Sequence, residues 1–415
     1  MNIALVIIGD EVLLGQVIDT NSASIARMLY ESGMQVNKKW TVADQHEEIL
    51  AALKEASGQA DLILITGGLG PTKDDITKKA LAEFFKVPLV FSEENKLHIE
   101  AMLKERNIRL SDRHFEQCYL PQNAQLLDNR MGTALGLWME DRGKIFVSMP
   151  GVPYEMEYIM QQDVLPRLKS NHKTVAGVYH ETILTVGMGE TEIADIIEPA
   201  LGEFPEYLSL AYLPSQGQVR LRITGKHGDM DFLSAKVSSY VDQITNLLPE
   251  HIIGYGSTSL ENEIGKWLRA RGKSLSTAES CTGGFISHKL TSIPGASDFF
   301  KGGIISYHND IKETHLGVPA EVLAEHGAVS EACVRHMVLG ACETLQTDFA
   351  IAASGVAGPG GGTPEKPVGT VWIAYGSKSE VRTRKFRFYR DRLRNIEATS
   401  TNALVLFWKY LKTLS

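Results

Sequence analysis

Six consecutive apolar residues, Ile3 to Ile8, run directly into Gly9-Asp10-Glu11 near the start of the chain. Side chains alternate across a strand, so an unbroken apolar run is buried on both faces, as in a parallel sheet covered by helices. Leu62 to Ile65 repeats the pattern and enters Thr66-Gly67-Gly68-Leu69-Gly70-Pro71-Thr72. Between the two, residues 21–33 read as a helix that Asp19, Thr20 or Asn21 could cap and Gly33 could end. Val36 to Val42 reads as a second strand, Glu47 to Ala56 as a helix, and Ile145 to Ser148 as a further short strand. Strand and helix in alternation imply a parallel α/β sheet.

The chain turns polar at Lys169-Ser170-Asn171-His172-Lys173. Beyond it, Thr182 to Val186 and Val219 to Thr224 alternate like strands with one exposed face, around a helix from about Glu190 to Glu198, which suggests a small α+β module. A glycine-rich stretch, Gly254-Tyr255-Gly256-Ser257, opens a last block of helix (Leu260 to Arg271), strand (Ser274 to Ala278), turn and helix. The expected division is 1–170, a parallel α/β domain; 171–253, an α+β linker; and 254–415, a second α/β domain.

Its 415 residues suit two or three domains, and 43% hydrophobic with 22% charged residues is a globular composition. A formal net charge of −8 argues against direct nucleic-acid binding, which favours a basic surface. The opening apolar run is too short for a signal peptide or a membrane span, and no later stretch is long enough. Cys118, Cys281, Cys333 and Cys342 are irregularly spaced and form no CxxC pair. A cytoplasmic protein without a disulfide framework, a zinc knuckle or a membrane partner is expected.

Ligands of open parallel sheets bind beyond the carboxyl ends of the strands. Gly9-Asp10-Glu11, the Thr66–Thr72 turn and Met149-Pro150-Gly151-Val152-Pro153 would all lie there. Glycines let backbone N–H groups approach an anion, and the carboxylates of Asp74 and Asp75 could hold a divalent cation. A tight turn with capping aspartates is the competing reading.

Three clusters mark the C-terminal block. Ala278-Glu279-Ser280-Cys281-Thr282-Gly283-Gly284 lies between a strand and a helix, and either Ser280 or Cys281 could be a nucleophile there. An N-cap followed by a glycine turn explains it equally simply. Ser297 and then Ser306-Tyr307-His308-Asn309-Asp310-Ile311-Lys312 form the second cluster, in which Tyr307 and Lys312 could fold onto Ser297. Lysine acts as a base only where burial or a neighbouring cation lowers its pKa, and on the residues alone a solvated surface lysine is the plainer reading of Lys312. The third is a small-residue strand entering Ser354-Gly355-Val356-Ala357-Gly358-Pro359-Gly360-Gly361-Gly362, either a ligand-wrapping loop or an ordinary hairpin. Arg390-Asp391-Arg392-Leu393-Arg394 opens the last helix against the dipole preference, which a bound anion would explain; a solvated charge run is the plainer reading.

Gly-Asp-Glu-x-Leu-x-Gly-x-x-x-Asp-Thr-Asn, Thr-Gly-Gly-Leu-Gly-Pro-Thr-x-Asp-Asp and Pro-Gly-Val-Pro-x-Glu-Met together resemble the N-terminal domain of the CinA family, which is similar to the molybdopterin-binding fold. The resemblance implies a metal-dependent pyrophosphatase that splits ADP-ribose into AMP and ribose 5-phosphate. Asp10, Asn21, Thr66, Gly67, Gly68 and Gly70 would contact the substrate, and Asp74 and Asp75 the divalent metal. Gly132-Thr133-Ala134-Leu135-Gly136 departs from the pattern, with leucine where many relatives have proline. Gly187-Met188-Gly189-Glu190-Thr191-Glu192 matches the family's KH-like linker. Residues 257–412, with Ala-Glu-Ser-Cys-Thr-Gly-Gly, Tyr-x-Asn-x-x-Lys, His-Gly-Ala-Val-Ser (326–330), Ser-Gly-x-Ala-Gly-Pro and Lys-Pro-Val-Gly-Thr-Val, resemble the nicotinamide mononucleotide deamidase domain, a Ser/Lys hydrolase that needs no cofactor.

Matched by position, the resemblance implies Ser297 as nucleophile and Lys312 as base, with Tyr307 and Ser280 as supporting hydroxyls. Thr282, Gly283, Ser354, Gly355, Gly358 and Arg392 would meet the substrate. It also implies a homodimer acting on small nucleotides. Two other functions compete: an N-terminal module that binds a pterin or nucleotide without turnover, and an interaction protein of competence or DNA damage.

Overall fold

The structure is a computed structural model that describes all residues except 71–75, 110, 172–176, 216 and 415, and all of their side chains except those of 112 and 171. The chain forms two compact units, Met1–Val178 and Tyr179–Ser415.

Unit one is built on β1 (Ile3–Ile8), β2 (Val36–Val42), β3 (Leu62–Thr66), β6 (Gln125–Leu127), β7 (Gly136–Asp141) and β8 (Lys144–Met149), while β4 (Leu89–Phe91) and β5 (Tyr119–Pro121) form a separate antiparallel pair. The strand order is β2-β1-β3-β8-β7-β6. Its first four strands run parallel, and β7 and β6 add an antiparallel edge. All six residues of β1 are buried. Ala4, Val6 and Ile8 face a core shared with the helix His46–Gln59, while Ile3, Leu5 and Ile7 face one shared with the helix Thr20–Glu31. Each such side chain contributes about 1.5–3 kcal/mol on full burial, which makes the two-faced apolar run decisive for topology. Asp19 caps the first of these helices, accepting from the Ser22 N–H at 2.9 Å. Gly33 follows its end with φ +78°.

From the boundary between the units the chain forms a sheet of order β10-β11-β9-β12, in which β10 pairs with β11 and β9 with β12 antiparallel; its strands are β9 (Gly177–Val186), β10 (Leu208–Ser215), β11 (Gln218–His227) and β12 (Ile252–Tyr255). The helices Glu190–Leu201 and Met230–Leu247 supply Ile193, Ile197, Leu233 and Val237 to its core. Residues 182–186 do not have the exposed face expected of them: Ile183 joins that core, while Leu184 and Val186 join the core of the following domain. An interior strand packed on both sides loses its polar face, and local alternation does not reveal this.

The C-terminal sheet has the order β14-β13-β15-β16-β17, comprising β13 (Leu275–Glu279), β14 (Phe300–Ile305), β15 (Phe349–Gly355), β16 (Thr370–Gly376) and β17 (Val381–Arg387). β14, β13 and β15 are parallel, and β16 and β17 antiparallel. The helix Glu331–Thr344 covers one face. The helices Leu260–Ala270 and Arg392–Lys412 cover the other, with Leu404, Phe407 and Leu411 buried against Ile351 and Ile373. Among the described residues no helix is long and apolar enough to cross a membrane.

Candidate active sites

In unit one the chain leaves β1 towards β2 and then crosses back to β3, so the carboxyl ends of β1 and β3 flank a switch point. A cavity of about 770 Å3 lies there, lined by Asp10 and Glu11 after β1, Gly67 to Gly70 after β3, and Pro150 to Pro153 after β8. The glycine turn is stereochemically required. A Cβ on Gly67 (φ +112°) would lie 2.1 Å from the Ile8 carbonyl oxygen, and one on Gly68 (φ +66°) 2.1 Å from Thr77 Oγ1. Gly67 donates its own N–H to Met149 O at 3.1 Å, so that group is not free for an anion.

Asn21 and Thr66, expected as substrate contacts, instead tie the loops together. Asn21 Nδ2 donates to Thr66 Oγ1 (3.0 Å) and to Gly151 O (2.7 Å), and Thr66 Oγ1 donates to Pro150 O (3.0 Å). Both residues are buried, and neither lines the cavity.

Asp74 and Asp75 lie outside the described residues. The described lining carries the carboxylates of Asp10, Glu11, Asp44 and Glu155 and no lysine, arginine or histidine. Such hard oxygen donors suit a divalent cation in their chemistry. Among the described residues, however, no three His, Cys, Asp or Glu side chains converge as a metal site. Asp10 and Asp44 accept from each other's backbone N–H (3.0 and 3.2 Å), which aligns the loops after β1 and β2. Burial pushes the Glu155 carboxyl up, against an opposing hydrogen bond from Asn129 Nδ2 (2.7 Å). Asp44, Gln117 and Glu155 are lining residues that the sequence reading did not single out, although Glu155 lies within the Pro-Gly-Val-Pro-x-Glu-Met motif.

The C-terminal domain gathers its polar groups at the carboxyl ends of its three parallel strands. Lys312, on the helix Asn309–Leu316 after β14, is 1% exposed. Its Nζ lies 2.7 Å from Ser306 O, 3.2 Å from Ser280 Oγ and 3.4 Å from Tyr307 O. Burial lowers its pKa from the ordinary value of 10.5. Ser280 follows β13 directly, and its N–H donates to Ala353 O of β15 at 2.9 Å. The turn it opens is held from below by Glu279. That fully buried carboxylate accepts from the N–H groups of Gly284, Ile286 and Ser287 and from Ser287 Oγ, at 2.7–3.0 Å. Thr282 is 3% exposed, and its Oγ1 has no hydrogen-bond partner among the described residues.

The pairing of Ser297 with Lys312 is corrected by this topology. Ser297 is exposed on the single turn Ala296–Asp298, ahead of β14, at the amino edge of the parallel strands. Lys312 lies beyond the carboxyl edge, and the strand between rises roughly 3.3 Å per residue over its six residues. Ser280 occupies the place by Lys312 that Ser297 was expected to hold. Cys281, the other candidate of that turn, is buried with its thiol pushed up to about 12, which leaves it a thiol rather than a thiolate.

Arg392 reaches across the domain, donating to Gly358 O (2.7 Å) and to Tyr307 Oη (2.8 Å). These bonds account for an arginine at the start of the last helix without a bound anion; Asp391 is the N-cap, accepting from the Arg394 N–H at 3.0 Å. Ser354 is buried, and its Oγ is spent on Ala328 O at 2.7 Å, which ties β15 to the 326–330 segment. Gly355 closes β15, Gly358 receives Arg392, and Gly283 turns with φ +61°.

Two sheets with ligand-type loops at their carboxyl edges, and an α+β module between their sequences, define a modular α/β protein with two separate candidate sites. Residues 4–170 match the model of a probable molybdopterin binding domain, 180–254 that of the damage-inducible protein CinA KH domain, and 257–411 that of the CinA C-terminal domain. A CinA-like protein of Cytophaga hutchinsonii is 41% identical over 98% of this chain and 97% of its own length. One of Flavobacterium psychrophilum is 37% identical over 99% and 98%. The competence damage-inducible protein A of Klebsiella pneumoniae, a solved structure, is 39% identical with a TM-score of 0.35, covering 35% of this chain and 91% of its own. The chain belongs to the CinA family.

Proposed function

We propose that the C-terminal domain is an amidase that converts nicotinamide mononucleotide to nicotinate mononucleotide and ammonia, with Ser280 as nucleophile and Lys312 as its base. The observation that carries this reading is the 3.2 Å contact between Lys312 Nζ and Ser280 Oγ in a site where the lysine is 1% exposed. A neutral amine keeps two N–H groups and one lone pair. Donation to Ser306 O and Tyr307 O uses the two N–H groups, which leaves the lone pair for the serine hydroxyl. Ser280 Oγ attacks the carboxamide carbon while Lys312 takes its proton and returns it to the leaving ammonia; a water molecule, deprotonated by Lys312, then cleaves the acyl-serine ester, which releases nicotinate mononucleotide and returns the proton to Ser280 Oγ. The N–H of Thr282 donates to no carbonyl or carboxylate of the described residues and is our candidate for meeting the oxyanion. Arg392 and Tyr307 hold the loop edges against the substrate.

For the N-terminal domain the reading is hydrolysis of ADP-ribose to AMP and ribose 5-phosphate. A cavity at a sheet switch point, with a glycine turn and, among the described residues, only carboxylates as charged lining, supports it. Asp74 and Asp75 would hold the divalent cation, which neutralises phosphate charge when bound. The chain would act in the cytoplasm as a homodimer, the commonest closed assembly.

Purified protein incubated with each nucleotide, with products resolved chromatographically, tests both activities. Asp75→Ala should abolish AMP release and leave ammonia release intact. Loss of both from a folded variant, or absence of both from the parent protein, would overturn the assignment.

A further inference from the structure

Gln117 is the one cavity residue of unit one whose buried side chain keeps an unused hydrogen-bonding atom among the described residues. It ends the helix Asp112–Gln117 and is 2% exposed. Its backbone is locked: the carbonyl accepts from Asn95 Nδ2 (3.0 Å) and from Lys78 Nζ (3.2 Å), both on buried side chains. Its Nε2 donates, at a long 3.4 Å, to Leu69 O in the glycine turn. Exchanging the amide's two ends would set its oxygen against the Leu69 carbonyl, so the hydrogen-bond network fixes the orientation. Oε1 is left with no partner among the described residues, although it is buried at the wall of a 770 Å3 cavity. Buried carbonyl oxygens are nearly always paired, so an unpaired one on a residue that lines a cavity marks where a ligand's donor belongs.

We propose that Gln117 is a specificity-determining residue of the N-terminal site, whose Oε1 accepts a hydrogen bond from a ribose hydroxyl of a bound nucleotide. The position selects the hydroxyl. Gln117 is tied to Leu69, inside the turn where a phosphate would sit, so the ligand group that meets Oε1 lies close to that phosphate. On a nucleotide the donors nearest the phosphate are sugar hydroxyls, whereas a base amine is farther away. Among the described residues the rest of the charged lining is acidic and accepts hydrogen bonds as Gln117 does, so this wall recognises donors. The inference rests on reading this cavity as a nucleotide site.

Titration calorimetry of the full chain in Mg2+ buffer with AMP, 2′-deoxy-AMP and 3′-deoxy-AMP tests it. The parent protein should bind one deoxy analogue about ten-fold more weakly than AMP, the worth of one lost hydrogen bond to a buried acceptor. Gln117→Leu should bind AMP about ten-fold more weakly and no longer distinguish that analogue. Without ligand it should melt close to the parent, because the substitution removes an unsatisfied oxygen together with the one long bond to Leu69 O. Gln117→Met keeps the length of the side chain and gives the same reading if the leucine variant does not fold. A variant that still discriminates as the parent does would overturn the role of Gln117 and leave the nucleotide cavity standing. Equal binding of all three nucleotides by the parent would do the same. No binding of AMP by the parent would overturn the cavity reading and this inference with it.

Discussion

Lys312 Nζ lies 3.2 Å from Ser280 Oγ although 32 residues separate them in sequence. The two loops that carry them leave adjacent parallel strands, β13 and β14, at the same edge of the sheet. Parallel pairing therefore sets the serine against the lysine.

This geometry predicts the order of mutational damage. Ser280→Ala should remove nearly all deamidation, and Lys312→Met should lower it about 10²–10⁴-fold, the usual worth of a positioned base. The double variant should be scarcely worse than either single one, because residues acting as a unit are non-additive. Ser297→Ala and Cys281→Ser should stay active. Trapping the acyl-enzyme and mapping it by mass spectrometry checks the order; an adduct on Ser297 or Cys281 with Ser280 unmodified would reverse it.

The lowered pKa of Lys312 fixes the sign of two pH effects. The neutral amine is the active form, so kcat/KM should rise with pH through a value below 10.5. Stability should also rise with pH in the window between the lowered folded value and the ordinary lysine value. There the unfolded chain binds the proton and the folded one does not, so lowering the pH favours unfolding. Lys312→Met should flatten that part of the stability profile in denaturant titrations. An activity that falls as pH rises from 6 to 9 would contradict the assignment of the base.

Arg392 joins the Gly358 loop to Tyr307 through two hydrogen bonds from one guanidinium. Charge-assisted bonds of this kind are worth about 1.5–3 kcal/mol each. Arg392→Ala should lower kcat/KM for nicotinamide mononucleotide by roughly ten- to a hundred-fold. Tyr307→Phe, which removes one partner only, should do less. Steady-state kinetics of the two variants separate these outcomes, and a larger loss in Tyr307→Phe would show that the hydroxyl acts directly on the substrate.

Glu279 accepts four hydrogen bonds while fully buried beneath the Ser280 turn. Glu279→Gln would turn an amide N–H2 towards groups that themselves donate. A destabilisation of about 2–3 kcal/mol follows from losing charge-assisted bonds and stranding buried donors. Thermal melting should register it together with a loss of deamidation, since the turn that carries Ser280 hangs from this carboxylate. An unchanged Tm would mean that the turn holds its shape without the carboxylate.

Much of the fold was legible in the chain because burial on two faces leaves a local mark. Ile3–Ile8 and Leu62–Ile65 are apolar at every position and form interior parallel strands. β14 left a weaker mark: Phe300-Lys301-Gly302-Gly303-Ile304-Ile305 contains two glycines and a lysine. Without that strand in view, Ser297 and Lys312 look like neighbours on one short span. β9 was misread for a related reason, since its second face joins a core built from residues far along the chain, among them Leu260 and Leu404.

Sequence alone determined the three segments, the glycine turns at the strand ends and the CinA resemblance. Each depends on residue types in local order, which the chain records directly. Tertiary structure decided which serine the lysine meets, that Asn21 and Thr66 tie loops rather than line the cavity, and that Gln117 keeps an unspent oxygen at its wall. These depend on which sheet edge a loop reaches and on which hydrogen bonds are already taken. Such facts arise only when strands distant in sequence pair and bury one another's polar groups.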